Sequence, residues 1–145
     1  MQTENTHYPD GKSRTEQPMV NGRPHGVGRS WHPNGQLQSE TPFRDGVMHG
    51  VCKFWASDGR MLGSFEMLTG TGIFRTWYDD GRLRSEVSMV AGLPTGRLRH
   101  WDEQGEVIEA FMYKGRKISR KRYNSLAALD STLPKYDENA PAPCT

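Results

Sequence analysis

Four columns of residues recur along this chain in one phase, and they restrict its fold more than any other feature. The segments HYPDG, WHPNG, WASDG, WYDDG and WDEQG end at Gly11, Gly35, Gly59, Gly81 and Gly105, at spacings of 24, 24, 22 and 24 residues. A second glycine follows each by ten or eleven residues, at Gly22, Gly46, Gly70, Gly92 and Gly115. A third column holds Gly26, Gly50, Gly72 and Gly96, and a tryptophan stands five residues after each, at Trp31, Trp55, Trp77 and Trp101. Glycine after Asp or Asn accepts positive φ without steric cost, so PDG, PNG, SDG and DDG predict tight turns. GRPHG, GVMHG, GTG and GLPTG predict a second turn between the second and third glycines. Each period is then strand, turn, strand, turn, and the chain an antiparallel meander. The third copy is shorter by two residues within a turn, which leaves the strand faces in phase.

A thin sheet also suits the composition. Hydrophobic residues make up 34% of the 145, and 16 are glycine, which is little material for a thick core and enough for units that bury surface only against their neighbours. The expected fold is therefore mainly all-β: an elongated single antiparallel meander of tandem hairpin repeats, with a short C-terminal helix. Residues 1–6 are expected to be disordered, 7–117 to form about 4.5 repeats, 118–133 a capping helix and 134–145 a flexible tail. For the helix, Ser119 is the predicted N-cap, Tyr123, Leu126 and Ala127 fall at helical spacing, and Pro134 is a stop.

Within the first strand of each period, positions two and eight past the turn glycine are mostly apolar: Leu37 and Phe43, Met61 and Met67, Leu83 and Met89, Val107 and Tyr113. Position four is small at Ser39, Gly63 and Ser85. One face is expected buried and the other wet. The second strand reads Val27–Arg29–Trp31, Val51–Lys53–Trp55, Ile73–Arg75–Trp77 and Arg97–Arg99–Trp101 on one face. The tryptophans are expected to stack over the small-residue column, with the basic side chains along the ring faces. This column supplies the candidate partner-binding residues: Arg29, Lys53, Arg75, Arg99, Trp55 and Trp77.

Several function classes find no support. The net charge of +2 is too balanced to argue for nucleic acid. No apolar run reaches the length of a membrane span, and the N-terminus has no secretory h-region. Cys52 and Cys144 form no CxxC, so a reducing cytoplasm is the simplest expectation. His25 and His49 recur one hairpin pair apart, roughly 10 Å by strand spacing, too far to converge on a metal; they are expected to bond to turn backbone. Glu16, Glu40 and Glu86 recur too and are expected to pair across strands with Arg or Lys. No nucleophile, Walker or zinc motif appears. No catalytic or metal residue, no cofactor and no small-molecule substrate is therefore expected. Lys114, Arg116, Lys117, Arg120, Lys121 and Arg122 form a basic cluster that suits phosphates, an anionic membrane or an acidic partner.

The unit W-x-x-[ND]-G-x-L-x-x-E…F…G…HG resembles the MORN repeat in its bacterial variant form. Residues 31–50 match best and 77–96 next, and the resemblance covers roughly 7–117. The first copy departs from the pattern at Ser13, and the fifth has Ala110 in place of its Glu and no third glycine, as capping repeats would. The third has Ser64 for Glu. The resemblance implies an immunity or antitoxin protein, including the YwqK-type antitoxins, that neutralises a cognate toxin by direct binding and occlusion. It also implies the alternative of a scaffold or membrane-associated protein, here binding anionic lipid through the basic cluster.

Overall fold

The computed structural model describes residues 2–136. Its strands are β1 Gln2–His7, β2 Ser13–Val20, β3 Arg23–Pro24, β4 Gly26–Trp31, β5 Leu37–Arg44, β6 Val47–Met48, β7 Gly50–Trp55, β8 Met61–Met67, β9 Gly72–Trp77, β10 Leu83–Val90, β11 Leu93–Trp101, β12 Val107–Tyr113 and β13 Arg116–Ile118, followed by helix α1 Arg120–Leu129. Among the described residues all strand pairings are antiparallel, and no closed barrel forms. The first turn of each period has the predicted geometry. In the Tyr8–Lys12 turn the Gly11 amide donates to the Tyr8 carbonyl and the Tyr8 amide to the Lys12 carbonyl, and the same pair recurs in the other four copies. The Asp10, Asn34, Asp58 and Asp80 side chains each accept from the amide two residues on.

The second turn sits one residue earlier than expected. It is a two-residue turn on the second glycine and the residue before it, as in Asn21–Gly22 (φ 51 and 75) and Asp45–Gly46 (φ 49 and 89). Positive φ at both central residues is the type I′ geometry that matches strand twist. The turns stack along the array. Gly46 donates to the Pro24 carbonyl, Gly70 to Met48, Gly92 to Gly70 and Gly115 to Pro94. The residue before each third glycine accepts the neighbouring amide: Asp45 donates to His25 Nδ1, Thr69 to His49 Nδ1, Ala91 to Thr71 Oγ1 and Lys114 to Thr95 Oγ1. His25 and His49 thus bond to turn backbone, as expected.

The meander runs as two ladders rather than one. The first sheet has the order β1-β2-β4-β5-β7-β8, and the second β13-β12-β11-β10-β9. They separate at the shortened turn, where only the Leu68–Thr71 bridge remains between β8 and β9. Elsewhere a ring from one repeat ties to the tryptophan carbonyl of the next: the Tyr8 hydroxyl donates to Trp31, His32 Nε2 bonds Trp55, and the Tyr78 hydroxyl donates to Trp101. At the break this position is Ala56, which has no such group. Two sheets freed from a common ladder fold toward one face, and there Cys52, Phe65 and Met67 are buried under Phe54, Phe74, Trp77 and Met89. Phe54 and Phe65 of the first sheet lie 5.9 and 5.1 Å from Phe74 of the second.

Register explains which side chains reach that face. In four hairpins a β-bulge skips one residue (Arg14, Gln38, Leu62 or Arg84) three positions past the turn glycine. The bulge interrupts the alternation, so positions two and eight take different faces; in the third copy Met61 is 53% exposed while Met67 is fully buried. The fifth hairpin has no bulge. Its first and second glycines are ten residues apart rather than eleven, and a one-residue slip flips every later side chain. Glu109 therefore opposes Arg99, and Phe111 and Tyr113 turn to the face opposite the Cys52 core.

Helix α1 packs on that flipped face. Tyr123, Ala127 and Leu133 are buried against Phe111. Ser119 is the N-cap, accepting from the Arg122 amide at 3.1 Å. The helix is shorter than the expected 118–133 span, because β13 runs to Ile118 and the chain turns after Asp130. Two further expectations need correction. Residues expected to be disordered at the start form β1, held by its backbone ladder to β2 although every side chain is exposed. Ladder bonding does not need an apolar face. The segment expected as tail begins docked: Tyr136 packs on Phe111 and Tyr123 and accepts the Arg97 amide at 2.9 Å, and the Pro134 carbonyl accepts the Tyr123 hydroxyl. The rest of that tail, 137–145 with Cys144, lies outside the described residues.

Candidate functional site

The basic column is a structural ladder on the face opposite the Cys52 core. Successive strands place Glu16 opposite Arg29, Arg29 opposite Glu40 and Glu40 opposite Lys53. Past the break, Arg75 opposes Glu86, Glu86 opposes Arg99 and Arg99 opposes Glu109. Arg29 Nε meets Glu40 Oε2 at 3.1 Å, Arg75 meets Glu86 at 2.9 Å, and Arg99 meets Glu109 at 3.0 Å. Alternating charges directly opposite one another stabilise each cross-strand pair. The expected stacking on tryptophan is replaced by these carboxylates, so Arg29, Arg75 and Arg99 are engaged within the sheet, while Lys53 is exposed opposite Glu40 and Ser64. The expected glutamate pairing holds for Glu40 and Glu86, and Glu109 takes over where Ala110 had broken the pattern. Ser64, the other departure, stands at the break between the sheets.

Trp55 and Trp77 separate from the arginines. The bulge swings the Trp77 ring to the core face, 5.7 Å from Phe54, where it stacks over the small-residue column as expected: a Cβ at Gly63 would collide with it. Beside it opens a cleft of about 480 Å³ walled by Phe54, Trp55, Trp77 and Tyr78, with Ser30, Ser39 and Thr76 on its floor. The three bulge residues of the central repeats, Gln38, Leu62 and Arg84, all line it. A more apolar depression of about 330 Å³ adjoins it through Ser30 and Ser39 and reaches Phe43, Met48 and Phe74. Sequence reasoning missed this site because the bulges are not visible in a period-two reading. The ten-residue spacing between Gly105 and Gly115, against eleven elsewhere, was the signal that one strand had lost something the others share.

Groups with chemical potential near the cleft are held in structural bonds. His32 is bonded to the Trp55 carbonyl. Asp79 Oδ1 and Oδ2 accept the Ser57 amide and hydroxyl, which hold its pKa below the ordinary value. Burial pushes the Cys52 thiol up to about 11. Among the described residues no cluster of His, Cys, Asp or Glu is arranged to hold a metal ion.

The predicted basic cluster is divided. Lys114 lies in a turn, 5.3 Å from the Tyr113 ring. Arg116 and Lys117 alternate along β13 and face opposite sides. Arg120 lies over Phe111 and 3.6 Å from Glu109, while Lys121 and Arg122 are exposed on the first turn of α1. The structure does not gather these six into one plane.

The two turns, the tryptophan column and the ladder repeat through the array, and the family described as MORN repeat variant matches residues 24–45 and 71–91. Those two stretches resemble MORN repeat variants. The match suggests a repeat-scaffold binding protein. A comparison with curated proteins found no match. Among solved structures, the GtfA/B complex bound to UDP and GlcNAc is similar over 90% of this chain and 27% of that chain, at 15% identity and a TM-score of 0.31, a likeness that carries no argument. No helix among the described residues is long and apolar enough to cross a membrane.

Proposed function

We propose that this MORN array is a non-enzymatic immunity or antitoxin protein, related in role to the YwqK-type antitoxins and acting in the cytoplasm, that neutralises a cognate toxin by covering its active site or substrate path. One observation carries the binding part of this reading. The ladder uses the basic column on one face, while the opposite face leaves a half-open cleft whose aromatic and bulge side chains are not needed to join strands. Well-packed aromatics beside a few polar groups are what protein interfaces use as anchors. The groups suited to proton transfer or nucleophilic attack, His32, Asp79 and Cys52, are committed to turns and core, which favours recognition over catalysis. No cofactor is required.

The test is co-expression with a candidate toxin from a neighbouring gene. Growth should be restored, and the two chains should co-elute on gel filtration. Growth arrest that persists, with no complex, overturns the immunity reading.

A further inference from the structure

The bulges suggest how the cleft reads its partner. A β-bulge re-aims a side chain out of the regular alternation, and Gln38, Leu62 and Arg84 are the same bulge position in three consecutive repeats. They differ in chemistry where the ladder residues around them are nearly uniform. Arg84, like Arg14 at the first bulge, lies over a tyrosine ring and meets no carboxylate among the described residues. Arg29, Arg60, Arg75, Arg82 and Arg99 each meet a carboxylate, whereas Arg84 lies against the Tyr78 ring, 5.6 Å from its centroid, and is exposed at the cleft. A guanidinium braced by an aromatic ring and lacking a counter-ion is a ready site for a carboxylate, which it can take in bidentate fashion. Leu62 and Trp77 form an apolar step beside it. Gln38 Oε1 accepts the Ser30 hydroxyl at 3.3 Å, which leaves the amide NH2 as the donor presented to the cleft.

Spacing gives the form of the ligand. Gln38 and Leu62 are two strands apart in the first sheet, about 10 Å, which three residues of extended or polyproline chain cover; Arg84 stands across the break in the second sheet and lines the same cleft. We infer that the cleft binds an extended acidic segment of a partner polypeptide laid across the strands, with a hydrogen-bond acceptor at Gln38, an aliphatic side chain three residues away at Leu62 and a carboxylate beyond it at Arg84. This rests on the reading of the chain as a binding protein and specifies its partner surface.

Fluorescein-labelled peptides carrying serine and leucine three residues apart and a glutamate two to five residues beyond the leucine, in both chain directions, test it directly by anisotropy with the full chain. One order should bind. Arg84→Ala, or glutamine for the peptide glutamate, should each weaken binding by about tenfold or more, with little further loss when combined. Arg84→Glu should favour a lysine peptide. Arg84 is exposed, so melting of the variants should match the parent. No binding by either order, or binding indifferent to Arg84, overturns the inference. Toxin rescue that survives Arg84→Glu together with Leu62→Asp also overturns it, while leaving the immunity reading intact. Peptide binding without toxin rescue does the reverse.

Discussion

Gly63 is small because the Trp77 ring occupies the space a Cβ would need. Gly63→Val should cost about 1–3 kcal/mol in urea unfolding, since the ring cannot move without leaving Phe54 and Phe65. Gly35 is different. Nothing lies within 4 Å of its would-be Cβ, but its φ is +91, so Gly35→Ala should cost about 1 kcal/mol through the backbone alone. A Gly63→Val effect no larger than Gly35→Ala would contradict the packing account. Cys52 offers a third measurement at this scale. Its thiol is buried, and burial pushes its pKa up to about 11, above the ordinary thiol value. In a Cys144→Ser background, thiol labelling at pH 8 should wait for unfolding. The unfolded chain releases the proton first, so stability from this group is intact below pH 9 and declines as pH rises toward 11. Labelling as fast as that of an unfolded control would show the cluster to be open.

Strand β12 shows what one residue does to an element. Without the bulge its partners are Glu109 for Arg99 and Phe111 for Arg97, and Phe111 becomes the floor under Tyr123. Inserting one residue between Val107 and Ile108 should restore the bulge and return Phe111 to the other face. Helix α1 would lose its main contact and the Arg120–Glu109 pair, so amide exchange of 120–129 should accelerate markedly while β7 and β8 stay protected. Unchanged protection of α1 would show that the helix does not depend on this register. The helix was legible beforehand, from Ser119 and the spacing of Tyr123 and Ala127. Where it docks was not, because that depends on a pairing register shared with β11.

For the whole molecule the decisive feature is the short Gly70–Thr71–Gly72 turn. It carries the turn column past the break, with Gly70 donating to Met48 and accepting from Gly92, while the strand ladder stops. Lengthening it by two residues, to the length of the Gly46–Gly50 turn, together with Ala56→Tyr, should let β8 and β9 pair as in other repeats. The two sheets would then open, Cys52 would label without unfolding, and near-ultraviolet circular dichroism from the Phe54–Phe65–Trp77 group would fall. A variant that keeps both signals would place the cause of the fold elsewhere.

Period, turn positions, antiparallel order, the helix cap and the histidine and glutamate roles were determined by the sequence itself, because each depends on a few adjacent residues: a glycine at positive φ, an Asx side chain reaching two residues on, a hydroxyl at a helix start. Which face each side chain takes, the division into two sheets, and the cleft between Trp55, Trp77 and Arg84 were decided only in the tertiary structure. They follow from bulges and from a missing ladder, and these arise from hydrogen bonding between strands that no single strand encodes.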